Sequence, residues 1–118
     1  MSLGDYVGIP YEGRMFCRTL AARVLAEQGI PFPPVHRPQD AAHWRRVARG
    51  RRFDVVVLRR PGGEFHVGVC LGDGRFLHVE EGSRSGCDDL ASPLFAPAIE
   101  GIYRYEGPRQ GEEAACST

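Results

Sequence analysis

The stretch EFHVGVCLGDGRFLHV, Glu64 to Val79, carries the structural signal that decides the fold. It has two segments of alternating character on either side of a Gly-Asp-Gly turn, which is the pattern of a β-hairpin. Alternation places His66 in the first segment and His78 in the second on the face opposite the apolar side chains. The apolar set predicted to face the core is Phe65, Val67, Val69, Leu71, Leu77 and Val79.

The length of the turn decides whether the two histidines meet, because a shift of one residue moves every side chain to the other face. A two-residue loop would pair Val69 with His78 and separate the histidines. A three-residue loop, Gly72-Asp73-Gly74, pairs Gly68 with His78 and leaves His66 as its diagonal neighbour, about 7–8 Å away at the backbone. We favour this register, although a five-residue loop, with His66 directly opposite His78, is also compatible. In either odd register we expect Gly68 to leave open space above the sheet.

The rest of the chain predicts helices first and strands later. Apolar residues recur at helical spacing over residues 16–29, and Gly29 with Pro31 ends that helix. A second, short helix is predicted over residues 41–50, with Asp40 as its cap and Gly50 as its terminator. Four prolines make residues 30–40 irregular. Strands are predicted over residues 53–60, 64–71, 75–81 and 100–107. This order favours an α+β domain with a helix packed on an antiparallel sheet.

The overall composition limits the kind of protein. The chain has 118 residues, 42% of them hydrophobic, and a formal net charge of zero. We predict one domain over residues 1–107 and a mobile tail over residues 108–118. The first residues lack the pattern of a signal peptide, and no apolar run is long enough to span a bilayer. We therefore expect synthesis in the cytoplasm and no membrane span.

Cys17 is the candidate nucleophile because it lies in the first turn of the predicted helix. Free N–H groups and the helix dipole stabilise a thiolate at that position. A neighbouring imidazole accepts the thiol proton, and a second one holds the first in the correct tautomer. The residues therefore predict a thiol site in which Cys17 attacks, His66 is the base and His78 orients it.

Several segments together resemble the NlpC/P60 cysteine peptidases, and in particular the small cell-wall hydrolase domains of bacteriophage tail assembly proteins. They are GIPY before FCRTL, then DVVVL leading into HVGVCLGDGRFLHV, and finally IEGIYRY. The segments cover most of residues 4 to 105 in the family's order. The family usually reads Asp-Cys-Ser-Gly or Asp-Cys-Trp-Gly at the nucleophile, where this chain has Phe16-Cys17-Arg18-Thr19.

The resemblance implies the papain-like NlpC/P60 fold, with Cys17 as nucleophile, His66 as base and His78 as the third, orienting residue. Tyr11 matches a tyrosine that lies near the nucleophile and helps to stabilise the oxyanion, while a packing role beside Pro10 is the alternative. The implied substrates are peptide or amide bonds of peptidoglycan stem peptides. Other phage tail proteins are implied as partners, and association with a virion as the location. No cofactor or metal is implied.

Four alternatives remain open at this point. A zinc site would use His66 and His78 with Cys70 and Cys87, although no Cys/His spacing supports it. A catalytically decayed binding or tail-assembly module would keep the fold without the reaction. Acyl transfer would use the same thiol chemistry as hydrolysis. Nucleic-acid binding through the five arginines between Arg45 and Arg52 is disfavoured by the neutral net charge, so no nucleic-acid partner is predicted.

Overall fold

The computed structural model describes residues 3–13, 15–33 and 40–109. Within these ranges one α-helix, α1, and six strands form the domain. Short 3-10 helices lie at Leu3–Tyr6 and Ala96–Ala98. The bounds are α1 Phe16–Glu27, β1 Trp44–Val47, β2 Val55–Arg59, β3 Phe65–Cys70, β4 Arg75–His78, β5 Gly86–Asp89 and β6 Ile99–Tyr105.

The strands form one antiparallel sheet in the order β1-β6-β2-β3-β4-β5, and α1 packs on one face of it against β3. The predicted α+β class is therefore confirmed. No helix in the described part of the chain is long and apolar enough to cross a membrane. Residues 110–118 of the predicted tail and residues 34–39 of the proline-rich segment lie outside the described ranges.

Both faces of the central strands are buried, which explains why the β2 segment reads as an uninterrupted apolar run. The helix-side cluster contains Leu20 and Val24 of α1 together with the apolar set predicted from the hairpin. The cluster on the opposite face contains Val56, Leu58, Cys70, Phe76 and Ile102, with Leu90, Phe95, Ala98 and Ile99 packed against it. The histidine face of the hairpin is thus a second core rather than an open surface.

The hairpin has the predicted three-residue loop. Val69 pairs with Leu77 and Cys70 with Phe76, so the same register aligns Gly68 with His78. Leu71 N–H donates to Arg75 O at 2.9 Å and closes the loop. The odd register is confirmed, and the five-residue alternative is wrong.

The short helix predicted over residues 41–50 is wrong, because that segment contains β1. Trp44 is buried, pairs with Tyr105 of β6, and its ring lies 5.5 Å from the Tyr105 ring. Arg45 forms a bidentate ion pair with Glu106 beyond the end of β6. Helix propensity is a weak preference, and here pairing with a distant strand overrides it.

The expectation of open space above Gly68 is also wrong. A Cβ atom added at Gly68 would lie 2.7 Å from Phe76 Cδ2, 2.9 Å from Leu77 O and 3.3 Å from His78 Cβ. Glycine is needed here because it allows β4 and its aromatic side chains to approach the β3 backbone closely. The space above Gly68 is therefore filled by Phe76.

We expect Gly68→Ala to lower the free energy of unfolding by about 1–3 kcal/mol, because the added methyl group meets a backbone carbonyl and a packed ring. Gly86→Ala is the matched control, since a Cβ atom at Gly86 meets nothing within 4 Å. Its effect should stay within about 0.5 kcal/mol. Urea denaturation of both variants measures the difference, and equal stabilities would contradict the close approach at Gly68.

Candidate active site

Cys17 and His66 line the same pocket, a cleft of about 300 Å³ where α1 begins and β3 starts. The sequence separates these two residues widely, and the packing of α1 on β3 brings them to one site. Tyr11 lines the pocket as well. The other lining residues are Met15, Arg60, Pro61, Glu64, Phe65, Val79, Glu80 and Glu81.

Cys17 lies in the first turn of α1, as predicted, and the residue is 7% exposed. Met15 precedes the helix in the left-handed conformation, at φ 57° and ψ 33°, and provides no side-chain cap. The first N–H groups of a helix have no partner within it, so they point toward whatever lies at that end. Within the described residues, Cys17 Sγ forms no hydrogen bond to either histidine.

His66, His78 and Asp88 form a chain of hydrogen bonds behind the pocket. His66 Nε2 lies 2.7 Å from His78 Nδ1, and His78 Nε2 lies 2.6 Å from Asp88 Oδ2. Both histidines are buried, at 5% and 4% exposure. The rings of Phe76 and Phe95 pack around His78, with centroids 4.4 Å and 5.2 Å away. The chain is therefore held in place by packing as well as by polar contacts.

The hydrogen bonds that link His66, His78 and Asp88 allow one self-consistent arrangement of protons when both imidazoles are neutral. A carboxylate only accepts hydrogen bonds, so His78 Nε2 carries the proton that it donates to Asp88. His78 Nδ1 is then an acceptor, and His66 Nε2 must carry the proton between the two rings. The lone pair of His66 is consequently left on Nδ1, the nitrogen that takes no part in the chain.

Glu80 and Arg60 lie beside the two histidines. The Arg60 guanidinium forms an ion pair with Glu80 Oε1. The same oxygen lies 3.8 Å from His66 Nε2 and 3.7 Å from His78 Nδ1. The Arg60 guanidinium and the histidines hold the pKa of Glu80 below its usual range, against the opposing effect of its partial burial.

The pKa of His66 is lowered to about 3, mainly by burial and to a lesser extent by the positive charge of Arg60 and by the neighbouring His78. Desolvation disfavours the charged form of an imidazole, and a nearby like charge does the same. His66 is therefore neutral at pH 7, with a lone pair available to accept a proton.

The structure brings together the three predicted residues of the site and Tyr11 in the following way. Cys17, His66 and Tyr11 line the pocket, while His78 lies behind His66. Tyr11 also packs edge-on against Phe16, with ring centroids 5.8 Å apart. Its position agrees with both the oxyanion role and the packing role.

The zinc alternative with Cys70 and Cys87 is not supported by the geometry. Cys70 is buried in the core opposite α1, and burial raises the pKa of its thiol to about 12. Cys87 is exposed on β5. Among the described residues, the cluster of possible metal ligands at the histidines contains Glu80 instead of either cysteine.

Asp88 is a residue of this candidate site that was not predicted from the sequence. Asp88 belongs to β5, an edge strand that was not predicted. It pairs with Phe76 of β4, which makes it a diagonal neighbour of His78. The segment GCDD is exposed and lacks an apolar alternation, so no local signal marks it as a strand. Glu80, in contrast, could have been predicted from the sequence, because the three-residue loop aligns it directly with His66.

The fold and this pocket define a class: an α+β domain in which a helix presents a cysteine beside a histidine-bearing antiparallel sheet. The model of the NlpC/P60 family matches residues 8–104 of the chain. The protein belongs to the NlpC/P60 family.

Solved structures agree with this assignment at the level of the fold. One of 16 matching chains is a protein described as similar to a lipoprotein of the NLP/P60 family, from Staphylococcus aureus subsp. aureus Mu50. The two share 21% sequence identity with a TM-score of 0.64, over 88% of this chain. The aligned part is only 39% of that structure's chain. A search of curated proteins found no match.

The low pKa of His66 makes stability depend on pH. Between its ordinary value of 6.5 and about 3, the unfolded chain binds more protons at His66 than the folded chain does. The free energy of unfolding should therefore fall as the pH is lowered, by on the order of 3 kcal/mol between about pH 6.5 and about pH 4 from this residue.

The measurement is chemical denaturation across this pH range for the wild type, His66→Asn and His43→Asn. His43 is an exposed histidine and serves as the matched control. His43→Asn should keep the acid sensitivity and His66→Asn should lose this part of it. Identical pH dependence in all three proteins would contradict the pKa shift.

Proposed function

We propose that the protein is a cysteine hydrolase that cleaves peptide or amide bonds in peptidoglycan stem peptides. Membership of the NlpC/P60 family supports the reaction class and the cell-wall substrate. The observation that carries the proposal is the chain from Asp88 through His78 to His66, which leaves a lone pair on His66 in a pocket lined by Cys17. The catalytic domain proposed is residues 1–107.

In the proposed mechanism His66 Nδ1 accepts the Cys17 proton as Sγ attacks the scissile carbonyl carbon. N–H groups at the start of α1, helped by the Tyr11 hydroxyl, stabilise the oxyanion. Collapse of the tetrahedral intermediate transfers the proton from His66 to the leaving amine and gives an acyl-enzyme. Water, deprotonated by His66, then attacks the thioester carbon; the C–S bond breaks, the acid product leaves, and His66 returns the proton to Cys17 Sγ. His78 and Asp88 keep the His66 ring in the reactive tautomer throughout.

The low pKa of His66 indicates that its imidazole is neutral in the resting site. A thiolate at Cys17 would raise the pKa of His66, because an opposite charge at close range favours the imidazolium. Proton transfer is therefore coupled to attack on the substrate rather than completed before binding. Desolvation by a bound substrate would strengthen that charge pair.

The charges around the pocket suit a zwitterionic peptide. Arg60 provides a positive charge, and Glu64 and Glu81 provide exposed negative charges along the same cleft. Stem peptides carry both free carboxylates and free amino groups, so each sign has a partner on the substrate. Association with a phage tail and with other tail proteins, implied by the sequence resemblance, completes the proposed setting.

A second candidate function is a binding or tail-assembly module that has lost the reaction. The altered segment Phe16-Cys17-Arg18-Thr19 favours it, together with the lack of a hydrogen bond from Cys17 Sγ to His66 within the described residues. Arg18 Nε is also buried without a hydrogen-bond partner in the described part of the chain. A wild type that binds peptidoglycan fragments without cleaving them would support this candidate.

Cys17→Ala should abolish the release of stem-peptide fragments from purified peptidoglycan, because among the described residues no other cysteine lines the pocket. Cys87→Ala is the matched control, since Cys87 is an exposed thiol outside the pocket, and it should cleave like the wild type. Mass spectrometry of the soluble products measures both. Equal activity of wild type and Cys17→Ala would remove Cys17 as the nucleophile.

Asp88→Ala should lower kcat by about tenfold or more with little change in KM, since Asp88 orients the base through His78 and does not line the pocket. Asp89→Ala changes the adjacent carboxylate, which accepts from Ala91 N–H instead of from a histidine, and should keep kcat. Steady-state kinetics on a soluble stem peptide separate the two constants. A change in KM alone, or equal losses in both variants, would contradict the positioning role.

A further inference from the structure

Three ligand atoms with the chemistry of a zinc site lie together behind the pocket. They are His66 Nε2, His78 Nδ1 and Glu80 Oε1, and all lie within 4.8 Å of one another. Their separations are 2.7 Å between the two nitrogens and 3.8 Å and 3.7 Å from the carboxylate oxygen to each nitrogen. Two imidazoles and one carboxylate form a donor set that binds zinc with a fourth position open.

The size of this triangle suits a tetrahedral ion. Bond lengths of about 2.0–2.2 Å to nitrogen and oxygen place neighbouring ligands about 3.3–3.6 Å apart. The distance between the two nitrogens is shorter than that edge length, and the two distances to the carboxylate oxygen are slightly longer. A small increase in the distance between the two rings would therefore accommodate the ion. Glu80 borders the pocket, which provides a path for the ion and space for a water as fourth ligand.

Asp88 gives a second, independent indication. Zinc-bound histidines almost always donate their other N–H group to a carboxylate or a carbonyl, which fixes the tautomer and raises the basicity of the ligand. His78 already has this arrangement, because its Nε2 lies 2.6 Å from Asp88 and its Nδ1 faces the triangle. His78 therefore needs no change of tautomer to bind a metal.

His66 does need such a change. In the hydrogen-bonded chain its Nε2 carries the proton and its Nδ1 carries the lone pair. Coordination through Nε2 requires the opposite tautomer, with the proton on Nδ1. An imidazole in that state offers no lone pair to the Cys17 thiol.

We propose that His66 Nε2, His78 Nδ1 and Glu80 Oε1 bind one Zn²⁺ ion, and that the zinc-bound protein is inactive because His66 can no longer act as the base. This departs from the sequence analysis, which assigned no metal. Binding of the ion stands on the geometry alone, whereas the inhibition rests on the proposed function.

The test of binding is a titration with ZnCl2 in competition with a chromophoric chelator, using the full chain. The wild type should bind one ion, and Glu80→Gln should bind it about tenfold or more weakly. Glu81→Gln is the matched control, because it removes the same charge from the same pocket without touching the triangle. Equal affinity of wild type and Glu80→Gln would overturn the proposal.

X-ray absorption of the zinc-loaded wild type provides a readout that does not depend on a substitution. We expect a first shell dominated by nitrogen and oxygen at about 2.0–2.2 Å, and two or more sulfur ligands at about 2.3 Å would overturn the site. Cleavage of stem peptides is then compared with zinc and with excess chelator. Activity in chelator without zinc binding refutes this inference and leaves the proposed function intact. Zinc binding at the triangle without cleavage in chelator refutes the function and the inhibition but not the metal site.

Discussion

The hydrogen bond from His78 Nε2 to the Asp88 carboxylate sets the direction of the hydrogen bond between His78 and His66. Because the carboxylate only accepts, it fixes the proton of His78, and His78 in turn fixes the proton of His66. The Asp88 carboxylate therefore determines, through His78, that the lone pair of His66 lies on Nδ1. A half-exposed edge-strand residue, with 48% of its side chain accessible, thus fixes the tautomer of a buried histidine.

Burial fixes the hydrogen bonds among His66, His78 and Asp88 and also limits what else the two imidazoles can bind. Two imidazoles between a sheet and a second core lose their hydration, so their hydrogen bonds must be made within the protein. Phe76 and Phe95 enclose His78, and Gly68 allows the approach of β4 that this packing needs. The same nitrogens that form the chain are the ones that a metal ion would use. Zinc binding at His66 Nε2 and proton transfer at His66 Nδ1 would therefore require opposite tautomers of the same ring.

Local signals in the sequence were sufficient for the parts of the fold that depend on near neighbours. The helix that carries Cys17 follows from helical periodicity, and the hairpin register follows from strand alternation and an odd loop. β1 and β5 could not be found this way, because each is an edge strand defined by its partner. Trp44 becomes a strand residue by pairing with β6, and Asp88 reaches His78 only through pairing of β5 with β4. The meeting of His66 and His78 was therefore predictable, whereas the contact of Asp88 with His78 was not.

The positions of two protons decide whether His66 Nδ1 can accept the thiol proton, and long-range ¹H–¹⁵N NMR of the imidazoles observes them directly. The spectrum should be recorded at neutral pH on the wild type in the presence of a chelator. We predict that His66 is protonated at Nε2 and has its lone pair on Nδ1, with His78 carrying at Nε2 the proton that it donates to Asp88. A His66 ring protonated at Nδ1 would contradict it, because the nitrogen assigned to accept the thiol proton would already carry one.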